Sequence, residues 1–340
     1  MKEIPYYLSC RVNFLAPITK LFLMELKLWN LLTVVAFTFL SSNLAANNGL
    51  APEVTDLNAE DISFQKEKEI PYLEKPFIST SPRALNDQLK AGKLGIDGGK
   101  EEVVLKYVRE LAKKSDDPKS GKTDSLLIAY KNKLLFESYF RRGRRNYPHY
   151  QMSITKSYTA YALGRAIQMG YLTMEDIHKP AVSFLDQIEP EKLVKGAGQI
   201  TLHQAMQMSS GIRLPKRKIG EIVHKPDLLK GQGQARAYLQ LTNPISNQLP
   251  QPFKYQSADT VLTMQVLESV VPGSAEDFIR NQLLKPMGII NYGWQEDLSG
   301  FPKSAAGSSV LSRDMIKIGL LTLNQGIWNG KQHLPKEFVK

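Results

Sequence analysis

Ser153-Ile154-Thr155-Lys156 is a Ser-x-x-Lys tetrad at the start of a patterned segment. Tyr158, Tyr161, Ala162, Ala166 and Ile167 follow at helical spacing, and Gly170 supplies a stop. The i, i+3 spacing puts Lys156 on the same face as Ser153, so an ammonium can reach a hydroxyl. A serine hydroxyl is a poor nucleophile at neutral pH and needs a neighbouring base and an oxyanion site. Unpaired N–H groups and the positive dipole end of a helix favour negative charge developing there. The tetrad therefore points to acyl transfer on Ser153.

Letters alone do not single it out, because Ser63-Phe64-Gln65-Lys66 has the same form. Ser63 lies among charged residues without an amphipathic frame, so the reading rests on Ser153. Tyr255-Gln256-Ser257 follows about a hundred residues later. Two other Tyr-x-Ser/Asn triplets, Tyr7-Leu8-Ser9 and Tyr130-Lys131-Asn132, precede the tetrad. Only Tyr255 lies downstream of it.

The chain has 340 residues, 42% of them hydrophobic, which suits a globular core. Lys and Arg exceed Asp and Glu by 44 − 33 = 11. The basic clusters are Arg141, Arg142, Arg144 and Arg145, then Lys216, Arg217 and Lys218. Such charge can attract an anionic surface. No aromatic stacking platform or nucleic-acid motif accompanies it, so solvated loops are expected and no nucleic-acid partner.

Residues 31–40 form an uncharged, mostly apolar run after Lys27, followed by small residues at Ser41, Ser42, Ala45 and Ala46. This reads as an export signal over 1–46, with Met1 or Met24 as the start. The run falls short of the roughly 20 residues of a comfortable span, and a retained membrane anchor is the alternative. The expected location is periplasmic or secreted, with membrane contact only through this segment. The single cysteine, Cys10, precedes the run, so the exported part would contain neither disulfide nor thiol chemistry. Residues 47–82 are charged and proline-punctuated and read as a linker or arm, leaving 83–340 as the main domain.

Within that domain, Glu101–Lys114 has helical spacing. Residues 126–130 and 134–140 flank Lys131-Asn132-Lys133 as a hairpin. Thr201 is an expected N-cap. Two further helices are expected, from Ala275 to Leu284 closed by Pro286 and from Ser312 to Leu323 capped by Ser312. The histidines form no zinc motif, and no Gly-x-Ser-x-Gly elbow exists. Gly121-Lys122-Thr123 lacks the first glycine of a phosphate loop. No cofactor or metal is expected.

These residues resemble the serine β-lactamase and penicillin-binding-protein superfamily, nearest to class C β-lactamases, related esterases and 6-aminohexanoate-dimer hydrolases. Four further stretches carry the likeness in the family's order. Ile200 to Ile212 resembles the "ITLRHLLTMTSGI" landmark, and Tyr255 to Thr260 resembles the start of "YSSADTNLLG". Leu284 to Ile289 resembles the "EPLGM" element, and Asn324 to Gly330 resembles "NGGVWNG". The resemblance spans roughly residues 125 to 340.

It implies an α+β fold, an antiparallel sheet flanked by helices beside a helical region over 153–290. It implies Ser153 as nucleophile, Lys156 and Tyr255 sharing the base, and Ser257 in support. Either Lys156 or Tyr255 can hold the proton: a neighbouring ammonium favours tyrosinate and burial favours neutral lysine. The substrate would be a small ester or amide. The alternatives are a penicillin-binding DD-peptidase or β-lactamase acting on cell-wall peptide or β-lactam, and an inactive binding remnant. No class A deacylating glutamate motif follows the tetrad. The family's third motif, a Lys-Thr-Gly or His-x-Gly on a sheet strand, should follow Trp328. Lys119-Ser120-Gly121 matches it by letters but precedes the nucleophile. The chain is therefore expected to be incomplete at its C-terminus, keeping only the N-terminal hairpin of the sheet.

Overall fold

The computed structural model describes residues 49–58, 62–115, 117, 122–246 and 251–340. The expected leader over 1–46, Cys10, and the Lys119-Ser120-Gly121 triplet lie outside them. Among the described residues no helix is long and apolar enough to cross a membrane.

The segment read as a linker or arm carries α1 (Phe64–Glu69) and β1 (Phe77–Ser79), and β2 (Lys90–Ala91) and α2 (Glu101–Ser115) follow. The expected hairpin is β3 (Ser125–Tyr130) and β4 (Lys133–Tyr139). Its turn residues, Lys131 and Asn132, both take positive φ, 47° and 62°. Two left-handed residues match the twist of the flanking strands.

β4 is the centre of the sheet, with β3 antiparallel on one side and β1 antiparallel and β2 parallel on the other. The expectation that the chain keeps only the hairpin is therefore corrected: this sheet has four strands. β1 and β2 are three and two residues long, too short to show alternation. Leu134 to Tyr139 are all buried, because both faces of β4 are covered. Leu135 and Phe136 pack with Val108 and Ala112 of α2, whereas Leu134 belongs to the main core.

After β5 (His149–Tyr150), the chain enters the helical region: α3 (Thr155–Gln168), α4 (Leu202–Met206), α5 (Lys216–Val223), α6 (Gly233–Leu241), α7 (Ala258–Val270) and α8 (Ala275–Phe278). α3 is closed just past its C-cap Met169 by Gly170, whose φ of 82° is left-handed. The Gly170 N–H bonds Ile167 O and the Tyr171 N–H bonds Ala166 O, both at 3.0 Å, which is a Schellman closure. Thr201 caps α4 as expected: its hydroxyl accepts from the Gln204 N–H at 3.1 Å, and Gln204 Oε1 accepts from the Thr201 N–H at 2.9 Å. α7 is buried from Ala258 through Leu267 and packs against α3, α4 and α6. A helix buried on nearly all sides is a core helix.

Two boundary expectations are corrected. The helix from Ala275 leaves α geometry after Phe278, continues as a π turn over Ile279–Leu284, and Pro286 sits inside a following 3-10 turn. A proline is tolerated in a first turn because its missing N–H has no intrahelical acceptor there. Next come β6 (Tyr292–Trp294), β7 (Ser308–Val310) and α9 (Ser312–Leu323). Ser312 is the first residue of α9 rather than its cap, and its hydroxyl lies 2.8 Å from Ser125 Oγ of β3. β7 joins β5 and β6 in a three-stranded antiparallel sheet. β8 (Ile327–Trp328), β9 (Lys331–Gln332) and α10 (Lys336–Val339) complete the described elements.

A buried ionic cluster fastens α9 to the four-stranded sheet. Arg313 bonds Asp87 at 2.7 Å and Glu137 of β4 at 3.0 Å, and Glu137 also accepts from Tyr139 at 2.8 Å. Lys317, fully buried, bonds Asp314 at 2.6 Å and Gly288 O at 3.1 Å. Burial raises the Asp314 carboxyl to about 6, against the pull of Lys317. An unfolded aspartate releases its proton near 4, so the folded state binds the extra proton between those values. The resulting stability is present below about pH 4 and lost as pH rises through about 6. The stability difference between wild type and Asp314→Asn should shift in the variant's favour by about 1–3 kcal/mol from pH 4 to pH 7. Urea unfolding across that range measures it, and a difference independent of pH would contradict the assignment.

Candidate active site

The site is built where β5 runs into α3. Ser153 lies in a 3-10 turn, Met152–Ile154, one step before the α-helix begins at Thr155. Met152 takes φ 47°, a conformation that an unbranched residue enters at some cost. Thr155, fully buried, holds the turn in place. Its hydroxyl donates to Met152 O at 2.7 Å, accepts from the Ser308 N–H at 3.2 Å and meets Ser308 Oγ at 2.8 Å. The Gln151 N–H reaches Ser308 O at 2.8 Å. The turn before Ser153 is thus pinned to β7 on both sides, and Ser153 is left exposed.

Behind this turn, Tyr158 donates to Gln151 Oε1 at 3.1 Å and Gln151 Nε2 donates to His149 O at 2.7 Å. Glu67 of α1 takes the His149 ring at 3.0 Å and the Tyr150 N–H at 3.0 Å. The segment read as an arm therefore braces β5.

Lys156 Nζ lies 3.1 Å from Ser153 Oγ and donates to Ala305 O at 2.6 Å. It also sits over the Tyr255 ring, 4.9 Å from its centroid. The Tyr255 phenol is held below its usual value by hydrogen bonding with Ser153, then with Lys156, aided by the Lys156 charge. Three residues separated in the sequence thus meet around one hydroxyl. Ser257 is placed differently: it is the N-cap position of α7, exposed, and its side chain makes no cap bond. Its carbonyl accepts from Thr260 at 3.0 Å, and its hydroxyl makes no bond to Ser153, Lys156 or Tyr255. Ser63 is an N-cap instead, its Oγ accepting from the Lys66 N–H at 3.1 Å.

Tyr255 is carried on a coil supported by the Met208–Ile212 landmark. The Lys254 N–H bonds Met208 O at 2.9 Å, and Arg213 reaches Pro252 O at 3.3 Å. Thr155, Ala305, Ser308 and Glu67 are site-building residues that sequence reasoning missed. Thr155 lies inside the tetrad, where its two neighbours in the motif drew the attention. The others act across more than eighty residues and leave no local pattern. Among the described residues no group of three or more His, Cys, Asp or Glu could hold a metal ion.

The beta-lactamase family profile matches residues 109–337, well over half of the chain, and the protein belongs to that family. A solved structure of a candidate 6-aminohexanoate-dimer hydrolase from Bacillus anthracis is similar at a TM-score of 0.53 and 18% identity, over 83% of this chain and 72% of that one. A penicillin-binding protein homologue from Caulobacter crescentus is similar at 0.51 and 12% identity, over 68% of this chain and 73% of that one. No curated protein matches the sequence. At identities this low the likeness shows the shared β-lactamase/transpeptidase-like fold alone.

Thr155→Val keeps the shape of the side chain and removes the three contacts of its hydroxyl. Leaving Met152 O and the Ser308 N–H without that partner should cost about 1–3 kcal/mol of stability. Hydrolysis of a nitrophenyl ester should slow as well, because the turn loses its fastening. Thermal unfolding and stopped-flow ester hydrolysis measure the two effects, and normal values in both would refute this role for Thr155.

Proposed function

We propose that the protein is a serine hydrolase that cleaves an ester or amide through an acyl-enzyme on Ser153. The observation that carries this reading is the convergence of Lys156 and Tyr255 on the Ser153 hydroxyl. Ser153 Oγ attacks the substrate carbonyl, and its proton passes to the Lys156–Tyr255 pair. The tetrahedral oxyanion is stabilised by the Ser153 N–H, which has no intrahelical acceptor in a first turn. The pair returns the proton to the departing alcohol or amine. Water then attacks the acyl-enzyme by the same proton path and regenerates Ser153. The lowered phenol of Tyr255 favours it as the group that takes the proton, with Lys156 stabilising the phenolate.

A penicillin-binding or β-lactamase activity is the second reading, favoured by the apolar leader sequence, since export would bring the enzyme to cell-wall peptide. Acylation by a fluorescent penicillin separates this reading from an esterase or amidase. Failure of every serine-directed probe would leave a binding remnant.

Ser153→Ala should abolish nitrophenyl ester hydrolysis, whereas Ser63→Ala should leave it unchanged. Full turnover by the Ser153 variant would sink the assignment. Lys156→Ala and Tyr255→Phe should each lower the acylation rate by about two orders of magnitude or more, with the double variant little worse than either. If the two losses multiply, the groups do not act as one proton-transfer unit.

A further inference from the structure

We infer that Asp259, acting through Gln256, is a positioning residue for Tyr255. The inference rests on the serine-hydrolase reading of the same site. Tyr255 is 57% exposed, so packing alone does not fix its hydroxyl against Ser153. Its position must come from the coil that carries it, residues 251–257. On the N-terminal side the coil is held by the Lys254 N–H on Met208 O. On the C-terminal side the residue next to Tyr255 is held by its side chain: Gln256 Nε2 donates to Asp259 Oδ2.

Asp259 is an unusual residue to find there. It is fully buried in the first turn of α7, in the midst of a helix that is otherwise core. Its other oxygen, Oδ1, is buried without a hydrogen-bond partner. A buried carboxyl satisfied on one side only is costly, and such groups are uncommon in folded proteins. Burial pushes this carboxyl up, with Ser210, Gln256 and the Arg213 charge acting against the shift. Ser210 and Arg213 belong to the same segment that supports the coil at Met208 and Pro252. Asp259 thus sits where the landmark over 208–213, the start of α7 and the coil bearing Tyr255 converge.

A purely structural role is the competing account, since an acidic residue in a first helical turn favours the helix by itself. Gln256→Ala discriminates, because it leaves Asp259 and α7 intact and removes only the link to the coil. Acylation by a nitrophenyl ester is measured in single turnover and normalised to burst-titrated sites, beside thermal unfolding. Gln256→Ala should slow acylation by about tenfold to a hundredfold, as small misplacements of reacting groups do. Its unfolding temperature should fall by about a few degrees, because the buried Asp259 carboxyl loses a partner, so the rates are compared well below both transitions.

Asp259→Ala, which removes the acceptor, should show the same kinetic loss, and the double variant should be no slower than the worse single one. In a Tyr255→Phe background neither substitution should slow the reaction further. A tyrosine 13C NMR titration gives a readout that needs no turnover. The Tyr255 phenol should titrate below the ordinary tyrosine value in wild type and closer to it in Gln256→Ala, because contact with Ser153 and Lys156 is loosened. Wild-type acylation and an unmoved titration in Gln256→Ala would overturn the inference while leaving the reaction standing. Ordinary acylation by Tyr255→Phe would instead refute the catalytic reading, and the NMR titration would still decide whether Gln256 positions the phenol.

Discussion

The site depends on the contact between Thr155 and Ser308. One buried hydroxyl accepts a backbone N–H from β7 and donates to the carbonyl of Met152. It joins the first turn of α3 to the three-stranded sheet at the point where the chain turns toward Ser153. A left-handed methionine persists only where its surroundings over-determine it. Here the surroundings are the Thr155 hydroxyl and the Gln151 bond to Ser308. Once the turn is fixed, the helix places Lys156 one turn on, and Ala305 draws its ammonium toward the serine side.

Charge has a mainly structural use near the sheet. The Arg141–Arg145 run looks in the sequence like a free basic surface. Arg144 is only 7% exposed and donates to the carbonyls of Arg141, Gly143 and Pro71. Arg145 pairs with Glu53, and Arg141 bonds the Tyr72 hydroxyl. The guanidinium fork suits this work, since several planar donors can satisfy carbonyls that no secondary structure serves. These arginines tie the segment before β1 to the end of the hairpin, and Glu67 ties it to β5. The described part of the segment is integrated into the domain by these polar contacts together with the apolar packing of Ala51, Phe77 and Ile78.

The candidate site and the ionic cluster around Arg313 use burial in opposite ways. Arg313 and Lys317 are enclosed and paired, a geometry that holds elements in register. Ser153 and Tyr255 are left open to solvent, with Lys156 half-buried between them. The Ser153 hydroxyl is therefore reachable from solvent without displacing a packed core. Rigidity is provided one layer below, by Thr155, Ser308 and the supports of the Tyr255 coil.

The local chemistry was legible in the sequence because it is written in local spacing. The i, i+3 relation of Ser153 and Lys156, the N-cap of Thr201, the glycine closure of α3 and the hairpin turn are all settled within a few residues. The short strands β1, β2 and β5 did not, since two or three residues carry no period, and they exist only because β4 and β7 offer partners. Tyr255 could be selected by its motif, but its meeting with Lys156 is a tertiary fact. So are the bonds of Ser308 to Thr155, of Ala305 to Lys156 and of Glu67 to His149. Sequence determined which groups could do chemistry, because side-chain type and helical pitch are local properties. Tertiary structure alone decided which of them touch, because a hydrogen bond across 150 residues leaves no mark on the spacing at either end.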